Sequence, residues 1–239
     1  MNATKLWYET ESLVRSVGRM SVREEPNPET GPVVLIAGGF IPIMMTHRAE
    51  GRLHQPYYRR LANRLRLAGF RVHVSQIGVS GGLFNRHIHE TAERQIEEID
   101  EVFGRGTTFS HLGHSLGGVP GFSHLIYHPE RIQHVIALGT PNLGTPVAWL
   151  GRKAERRTGA SAALYEKHRE EIESVADRIT MIRGADDSVA PADTASHVEG
   201  ALNLTMPGIT HGTIATENSV FMVVTSILSR VGEERAQAS

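Results

Sequence analysis

Residues 113–118 read Gly-His-Ser-Leu-Gly-Gly and contain the pattern Gly-x-Ser-x-Gly. In this pattern the serine typically occupies a sharp, strained turn between a β-strand and an α-helix, with its hydroxyl exposed above the sheet. A side chain at position 113 or 117 would collide with the neighbouring strand or helix, because the backbone segments pack closely there. The stretch therefore predicts a nucleophile elbow with Ser115 at its tip.

The segments on either side of this stretch have the order that an elbow requires. Residues 107–112 are β-prone although fairly polar. Residues 116–127 can form a helix, which should end before His128-Pro129 because proline disfavours a helical conformation for its predecessor. Residues 132–138 form another strand candidate. The local prediction is a strand, the elbow, a helix and a second strand.

The rest of the chain continues this alternation of strands and helices. Residues 33–37 are a continuous apolar run, which is typical of a strand buried on both faces of a parallel sheet. Further strands are predicted at 70–77, 178–182 and 201–206, and further helices at 58–68, 88–103 and 220–228, with a frayed tail at 232–239. Together they predict an α/β fold with a doubly wound, mostly parallel sheet and helices on both faces.

A long insertion interrupts the alternation. The stretch from 142 to 177 is too long for a plain connection between two core strands, so we expect a small helical cap over the edge of the sheet. Trp149 and Leu150 are candidates for an apolar substrate-binding lining, although Trp149 could equally pack the cap onto the core. The whole chain, residues 1–239, is predicted to form one domain.

Composition and charge exclude several function classes. The net charge of −1 gives no indication of nucleic-acid binding, and the absence of cysteine excludes disulfides, cysteine nucleophiles and thiolate metal sites. No secretory leader and no apolar run long enough for stable membrane insertion is visible, so we expect a cytoplasmic protein. A phosphate-binding enzyme is disfavoured because no Walker pattern and no Gly-x-Gly-x-x-Gly follows a strand.

A nucleophilic serine needs a base, a group that orients the base, and donors for an oxyanion. His211 follows the last predicted strand, and Asp186 and Asp187 follow the strand before it. Both segments therefore begin at the carboxyl edge of the sheet, where open α/β sheets place their sites. Spacing alone does not separate the two aspartates. The backbone N–H groups of Leu116 and of the loop after residues 33–37, most simply Gly39, are the candidate oxyanion donors.

These motifs resemble those of the α/β-hydrolase superfamily, in particular small bacterial lipases and carboxylesterases. The segments that carry the resemblance are 33–40, 113–118, 138–146, 184–191 and His211. The resemblance implies Ser115 as nucleophile, His211 as general base and acid, and Asp187 as the acid, since Pro191 lies four positions after it.

The loop after residues 33–37 shows both an agreement with the family and a departure from it. The resemblance implies Gly39 and Leu116 as oxyanion donors. Phe40, which follows Gly39 in the same loop, is a candidate substrate-binding residue. One departure is Ala37, which occupies the position of a histidine that normally supports the first loop. We expect altered packing of that loop and no effect on the chemistry.

The sequence thus predicts a serine hydrolase that cleaves small-molecule or lipid esters of small or medium acyl chains through an acyl-enzyme. No metal and no organic cofactor is expected. The same groups could serve a thioesterase, an amidase or an acyltransferase. A binding protein with this fold and no activity is the alternative from another class. The oligomeric state is not predicted.

Overall fold

The computed structural model describes residues 24–39, 47–75, 85–144, 151–192 and 194–238. Its strands are β1 (Val33–Ala37), β2 (Arg71–Val74), β3 (Phe109–His114), β4 (Ile132–Leu138), β5 (Ile179–Gly184) and β6 (Leu202–Met206). They form one six-stranded sheet in the order β2-β1-β3-β4-β5-β6, and every neighbouring pair is parallel. The predicted α/β class and parallel sheet are confirmed.

Helices cover both faces of this sheet. They are α1 (His47–Leu67), α2 (Asn85–Phe103), α3 (Val119–Tyr127), α4 (Gly151–Lys167), α5 (Arg169–Ser174) and α6 (Asn218–Ala238). Val34 and Ile36 of β1 join a core cluster that includes residues of α1 and α6. Val33 and Leu35 point the other way, into a cluster that includes residues of α2, α3 and α4. This alternation explains why the strand is an unbroken apolar run, since each face buries every second residue.

Several predicted boundaries differ from the structure. Strand β3 begins at Phe109 and not at Thr107, whose hydroxyl is held by the carbonyls of Phe103 and Gly104 at the end of α2. The helix after the elbow begins with a 3₁₀ turn at Ser115–Gly118 before α3 starts. In the predicted strand at 70–77, β2 covers Arg71–Val74, and residues 76–77 lie outside the described residues.

The predicted frayed tail at 232–239 is wrong as far as Ala238, because α6 continues through it. Residues 233–238 are all Glu, Arg, Ala or Gln, which have high helix propensity. The side chains of Arg230 and Glu234 lie one turn apart at 3.8 Å and add a modest helical ion pair. Local propensity therefore extends the helix beyond the part that packs on the sheet.

Most of the described part of the predicted cap lies in α4 and α5. Leu164, Tyr165 and Ile172 of these helices are buried. Tyr165 and Ile172 join the core cluster on the α3 face of the sheet, and Leu164 packs in a smaller cluster with Leu116. The cap and the single-domain organisation stay predictions. Trp149, Leu150 and Phe40 lie outside the described residues.

The part of the chain described here contains no helix that is both long enough and apolar enough to cross a membrane.

Three buried histidines make the fold sensitive to acid. Burial lowers the pKa of His111 to about 4, and burial together with the charges of Arg230 and Arg178 lowers the pKa of His134 to about 4. Burial also holds the pKa of His124 well below its usual value, with His111 contributing. In the unfolded chain each imidazole would titrate near about 6.5. Between these values the unfolded chain binds more protons than the folded one.

We predict that the free energy of unfolding falls as the pH is lowered from about 6.5 to about 4. His111 and His134 each contribute at most about 1.4 kcal/mol per pH unit in that window, and His124 acts in the same direction. In urea titrations, His134→Gln should reduce the slope by about that amount. Thr180→Val, which removes the hydroxyl 2.9 Å from the imidazole of His134, keeps the titrating group and should keep the slope. Equal slopes for wild type and His134→Gln would contradict this origin of acid sensitivity.

Candidate active site

The turn after β3 has the geometry of an elbow. Ser115 has φ of 56°, and among the described residues it is the one non-glycine residue with positive φ. Such a conformation is strained for a residue with a Cβ atom and persists when the surroundings enforce it. Ser115 is the first residue of the 3₁₀ turn Ser115–Gly118, directly after β3. The strain therefore coincides with the residue that the motif singled out.

Glycines make this turn possible by letting backbone segments touch. A Cβ atom on Gly113 would lie 2.2 Å from the Cα atom of Gly118, and one on Gly117 would lie 2.3 Å from the carbonyl oxygen of Ala37. Both distances are far below van der Waals contact, and the atoms met are backbone. The elbow is consequently wedged between its own strand and the end of β1.

The structure brings Ser115, His211 and Asp187 together although they are far apart in the chain. The Ser115 Oγ atom lies 3.0 Å from His211 Nε2, and His211 Nδ1 lies 2.8 Å from Asp187 Oδ2. A carboxylate accepts at Nδ1, so Nδ1 carries the hydrogen and Nε2 can accept the hydroxyl hydrogen of Ser115. This is the geometry in which an imidazole can remove a proton from a serine.

Asp187 is held as a buried carboxylate, whereas Asp186 is exposed to solvent. The second oxygen of Asp187 accepts backbone hydrogen bonds from Val189 at 2.8 Å and Ala190 at 2.7 Å. Burial alone would raise the pKa of Asp187, but the charge and hydrogen bond of His211 and the two N–H groups outweigh it and lower the pKa. Of the two aspartates that spacing left open, Asp187 is the one in contact with the histidine.

The candidate oxyanion donors lie side by side. Leu116 is the second residue of the 3₁₀ turn, so its N–H has no partner within that turn. A Cβ atom on Gly39 would lie 2.7 Å from the Leu116 nitrogen and 2.7 Å from the Ser115 Cβ atom. The backbone of Gly39 also lies beside the hydroxyl of Tyr58, where it lowers the pKa that burial raises. Gly39 and Leu116 thus bring two backbone segments next to the Ser115 side chain.

No protein-family model matches the chain, and no curated protein matches it. Solved structures do. The lipase BlEst2 of Bacillus licheniformis superposes with a TM-score of 0.59 at 16% identity, over 87% of this chain and 96% of that chain. A carboxylesterase structure from the thaumarchaeon Nitrososphaera gargenis gives 0.61 at 13% identity, over 87% and 94%. Naproxen esterase from Bacillus subtilis gives 0.57 at 11% identity, over 93% and 96%.

The chain has the α/β-hydrolase fold. At identities of 11–16% the likeness establishes the fold, and the reaction has to be argued from the site. Within this fold, β6 and α6 flank the segment that carries His211, and β5 precedes the segment that carries Asp187. Arg183 of β5 donates to the carbonyls of Ala192 and Ser196 and ties down the loop that follows Asp187.

Sequence reasoning missed three residues that hold this hydrolase-fold site. The hydroxyl of Tyr57 donates to the carbonyl of Gly212 at 2.8 Å. The hydroxyl of Tyr58 lies 2.7 Å from His114 Nδ1, and His114 Nε2 lies 3.0 Å from the carbonyl oxygen of His211. Helical spacing identified Tyr58 merely as an apolar position. The Gly-x-Ser-x-Gly pattern treats His114 as its variable residue. No local sequence signal connects α1 with His114 or with the segment of His211 and Gly212.

The described residues contain no group of three or more His, Cys, Asp or Glu side chains that could hold a metal ion.

We predict that Gly113→Ala lowers the free energy of unfolding by at least about 2 kcal/mol, because its Cβ atom meets backbone that cannot move aside. The matched control is Gly159→Ala, an exposed position within α4 where a Cβ atom meets nothing within 4 Å. That change should stabilise the protein by about 0.5–1 kcal/mol, because alanine favours helix. Urea unfolding of both variants measures the difference. A neutral Gly113→Ala would refute the close approach at the elbow.

Proposed function

We propose that the chain is a serine hydrolase that cleaves carboxylic esters through an acyl-enzyme. The observation that carries the proposal is the hydrogen-bonded series of Ser115 Oγ, His211 Nε2 and Asp187 Oδ2, with contacts of 3.0 and 2.8 Å. The names of the similar structures, lipases and carboxylesterases, support an ester as the substrate class. The strained conformation of Ser115 adds support, since such strain clusters at reactive sites.

In the proposed first step His211 Nε2 takes the hydroxyl proton while Ser115 Oγ attacks the ester carbonyl carbon. Asp187 stabilises the imidazolium that forms and keeps Nδ1 protonated. The carbonyl oxygen becomes an oxyanion, which the N–H of Leu116 and the N–H of Gly39 stabilise.

The tetrahedral intermediate then collapses. The carbon–oxygen bond to the alcohol breaks, and His211 gives its proton to the departing alcohol oxygen. Water enters, His211 removes a proton from it, and the resulting hydroxide attacks the acyl carbon. The bond to Ser115 breaks, Oγ regains the proton, and the carboxylic acid leaves. The proposal needs neither a metal nor an organic cofactor for these steps.

Packing beside Ser115 supports a preference for small or medium acyl chains. Leu116, Ile88, Val119 and Leu164 form one cluster in which no member is more than 5% exposed. This cluster fills the space between the elbow and helices α2 and α4 with side chains, so a long acyl chain would have to take another route. Phe40, Trp149 and Leu150 remain proposed substrate-binding residues.

We predict that Ser115→Ala lowers kcat/KM for nitrophenyl acetate by about four orders of magnitude or more, because no nucleophile remains. Removing the single oxygen atom of the buried Ser115 side chain should leave the urea unfolding midpoint close to that of wild type. Retention of activity within about tenfold would eliminate the proposed role of Ser115.

A second prediction separates the adjacent aspartates. Asp187→Asn should lower kcat by about 10³–10⁴-fold, because an amide no longer holds the imidazole in the required tautomer. Asp186→Asn changes the same functional group one residue away, on an exposed side chain, and should keep kcat within about threefold of wild type. Steady-state kinetics on one ester compare the pair. A larger loss for Asp186→Asn would reverse the assignment.

Substrate class is resolved by comparing an ester, a thioester and an amide that share acyl group and leaving-group pKa. The proposal expects the ester to have the highest kcat/KM, and within a nitrophenyl series of increasing chain length it expects the optimum at short or medium chains. A higher kcat/KM for the thioester or the amide would instead assign thioesterase or amidase chemistry to the same groups. Activity on none of them would favour a binding protein.

A further inference from the structure

A second imidazole lies directly against the candidate base. His114 is the last residue of β3 and is 7% exposed. The centres of its ring and the ring of His211 are 5.1 Å apart. Its Nε2 atom lies 3.0 Å from the main-chain carbonyl oxygen of His211, and its Nδ1 atom lies 2.7 Å from the hydroxyl of Tyr58. The mechanism above uses none of these contacts.

The direction of the hydrogen bonds follows from the chemistry of the partners. A carbonyl oxygen can only accept, so Nε2 of His114 carries the hydrogen and donates to His211. In a neutral imidazole Nδ1 is then an acceptor, and the hydroxyl of Tyr58 donates to it. The backbone of Gly39 lies beside the hydroxyl of Tyr58, where it lowers the pKa that burial raises. The hydrogen bonds themselves therefore run in one direction, from Tyr58 through His114 to the carbonyl of His211.

This series joins the two loops that the proposed chemistry needs. Gly39 belongs to the loop after β1, beside the Leu116 nitrogen, and His211 belongs to the segment between β6 and α6. Tyr58 of α1 and His114 of β3 are both buried within the sheet-and-helix scaffold. The scaffold thus contacts both loops through two rigid aromatic side chains.

We propose that Tyr58 and His114 are positioning residues, which hold the loop of Gly39 and the loop of His211 in register around Ser115. This inference rests on the proposed function. Its physical basis is that catalysis depends steeply on geometry, since a displacement of about 1 Å can lower the rate about 100-fold. Neither residue exchanges a proton with the substrate, so their removal should alter kcat and leave substrate binding largely intact.

The first test compares two tyrosines that each bond to a histidine. Tyr58→Phe removes the hydroxyl between Gly39 and His114, and we expect kcat to fall about 10- to 100-fold with KM within about threefold of wild type. Tyr127→Phe is the matched control, because its hydroxyl bonds to His168 at 3.2 Å at the far end of α3. It should leave both constants near wild type. A Tyr58→Phe enzyme with wild-type kcat would overturn the proposal, and so would a change confined to KM.

The second test replaces His114 by two amides that each keep one bond. In His114→Gln the amide nitrogen reaches about as far as Nε2 and can still donate to the carbonyl of His211. In His114→Asn the amide oxygen occupies the place of Nδ1 and can still accept from Tyr58, but the carbonyl of His211 loses its donor. We expect kcat of the Gln variant to exceed that of the Asn variant by about tenfold. Equal kcat values for the two His114 variants would overturn the positioning role. This comparison remains decisive even if the Tyr58→Phe variant does not fold.

A third measurement does not depend on activity. In the Ser115→Ala background, amide hydrogen exchange of a peptide covering residues 207–213 should accelerate when Tyr58→Phe is added and should not change when Tyr127→Phe is added. Unchanged exchange in both would contradict the positioning role even if the hydrolase assignment holds. Accelerated exchange together with a fully active Ser115→Ala would sink the proposed function and leave the structural link between the loops standing.

Discussion

The contact between the end of β1 and the turn at Ser115 constrains the rest of the site. Gly117 lies so close to the carbonyl of Ala37 that a methyl group would be 2.3 Å from it. This contact fixes the turn against the sheet and supports the left-handed conformation of Ser115 at φ 56°. Because β1 pairs directly with β3, the same contact sets Gly39 beside Leu116. A loosened turn would displace the candidate nucleophile and the candidate oxyanion donors together.

Two buried polar side chains near this turn, Asp187 and His114, are held by several hydrogen bonds. Asp187 is almost fully enclosed, and its carboxylate is stabilised by His211 and by two backbone N–H groups. His114 is enclosed as well and bonds to Tyr58 and to the carbonyl of His211. A buried polar group that loses its partner lowers the stability of the fold. These bonds therefore favour one arrangement of loops that have little regular structure. The same carboxylate that orients the imidazole is therefore also part of what holds its loop.

The fold was predictable because its signals are local. The apolar run at 33–37 indicates a buried strand, and the glycines around Ser115 indicate a tightly packed turn. Each pattern lies within a few consecutive residues. The proximity of the segments of Ser115, Asp187 and His211 could be predicted because each follows a strand of one parallel sheet and so lies at the same edge. Choosing Asp187 over Asp186 required a family pattern. Tyr58 and His114 could not be predicted, because their bond spans 56 residues and leaves no periodic trace. The tail after Gly232 was misjudged because its position in the chain outweighed the helix propensity of its residues.

The proposed chemistry depends most on whether the folded chain makes the hydroxyl of Ser115 nucleophilic. Reaction with a fluorophosphonate followed by peptide mapping tests this directly, because the reagent phosphonylates an activated serine and expels fluoride. We expect one adduct in the native protein, on Ser115, and none after unfolding in urea or in His211→Ala. An adduct on another residue, or equal labelling of Ser115 without His211, would contradict it.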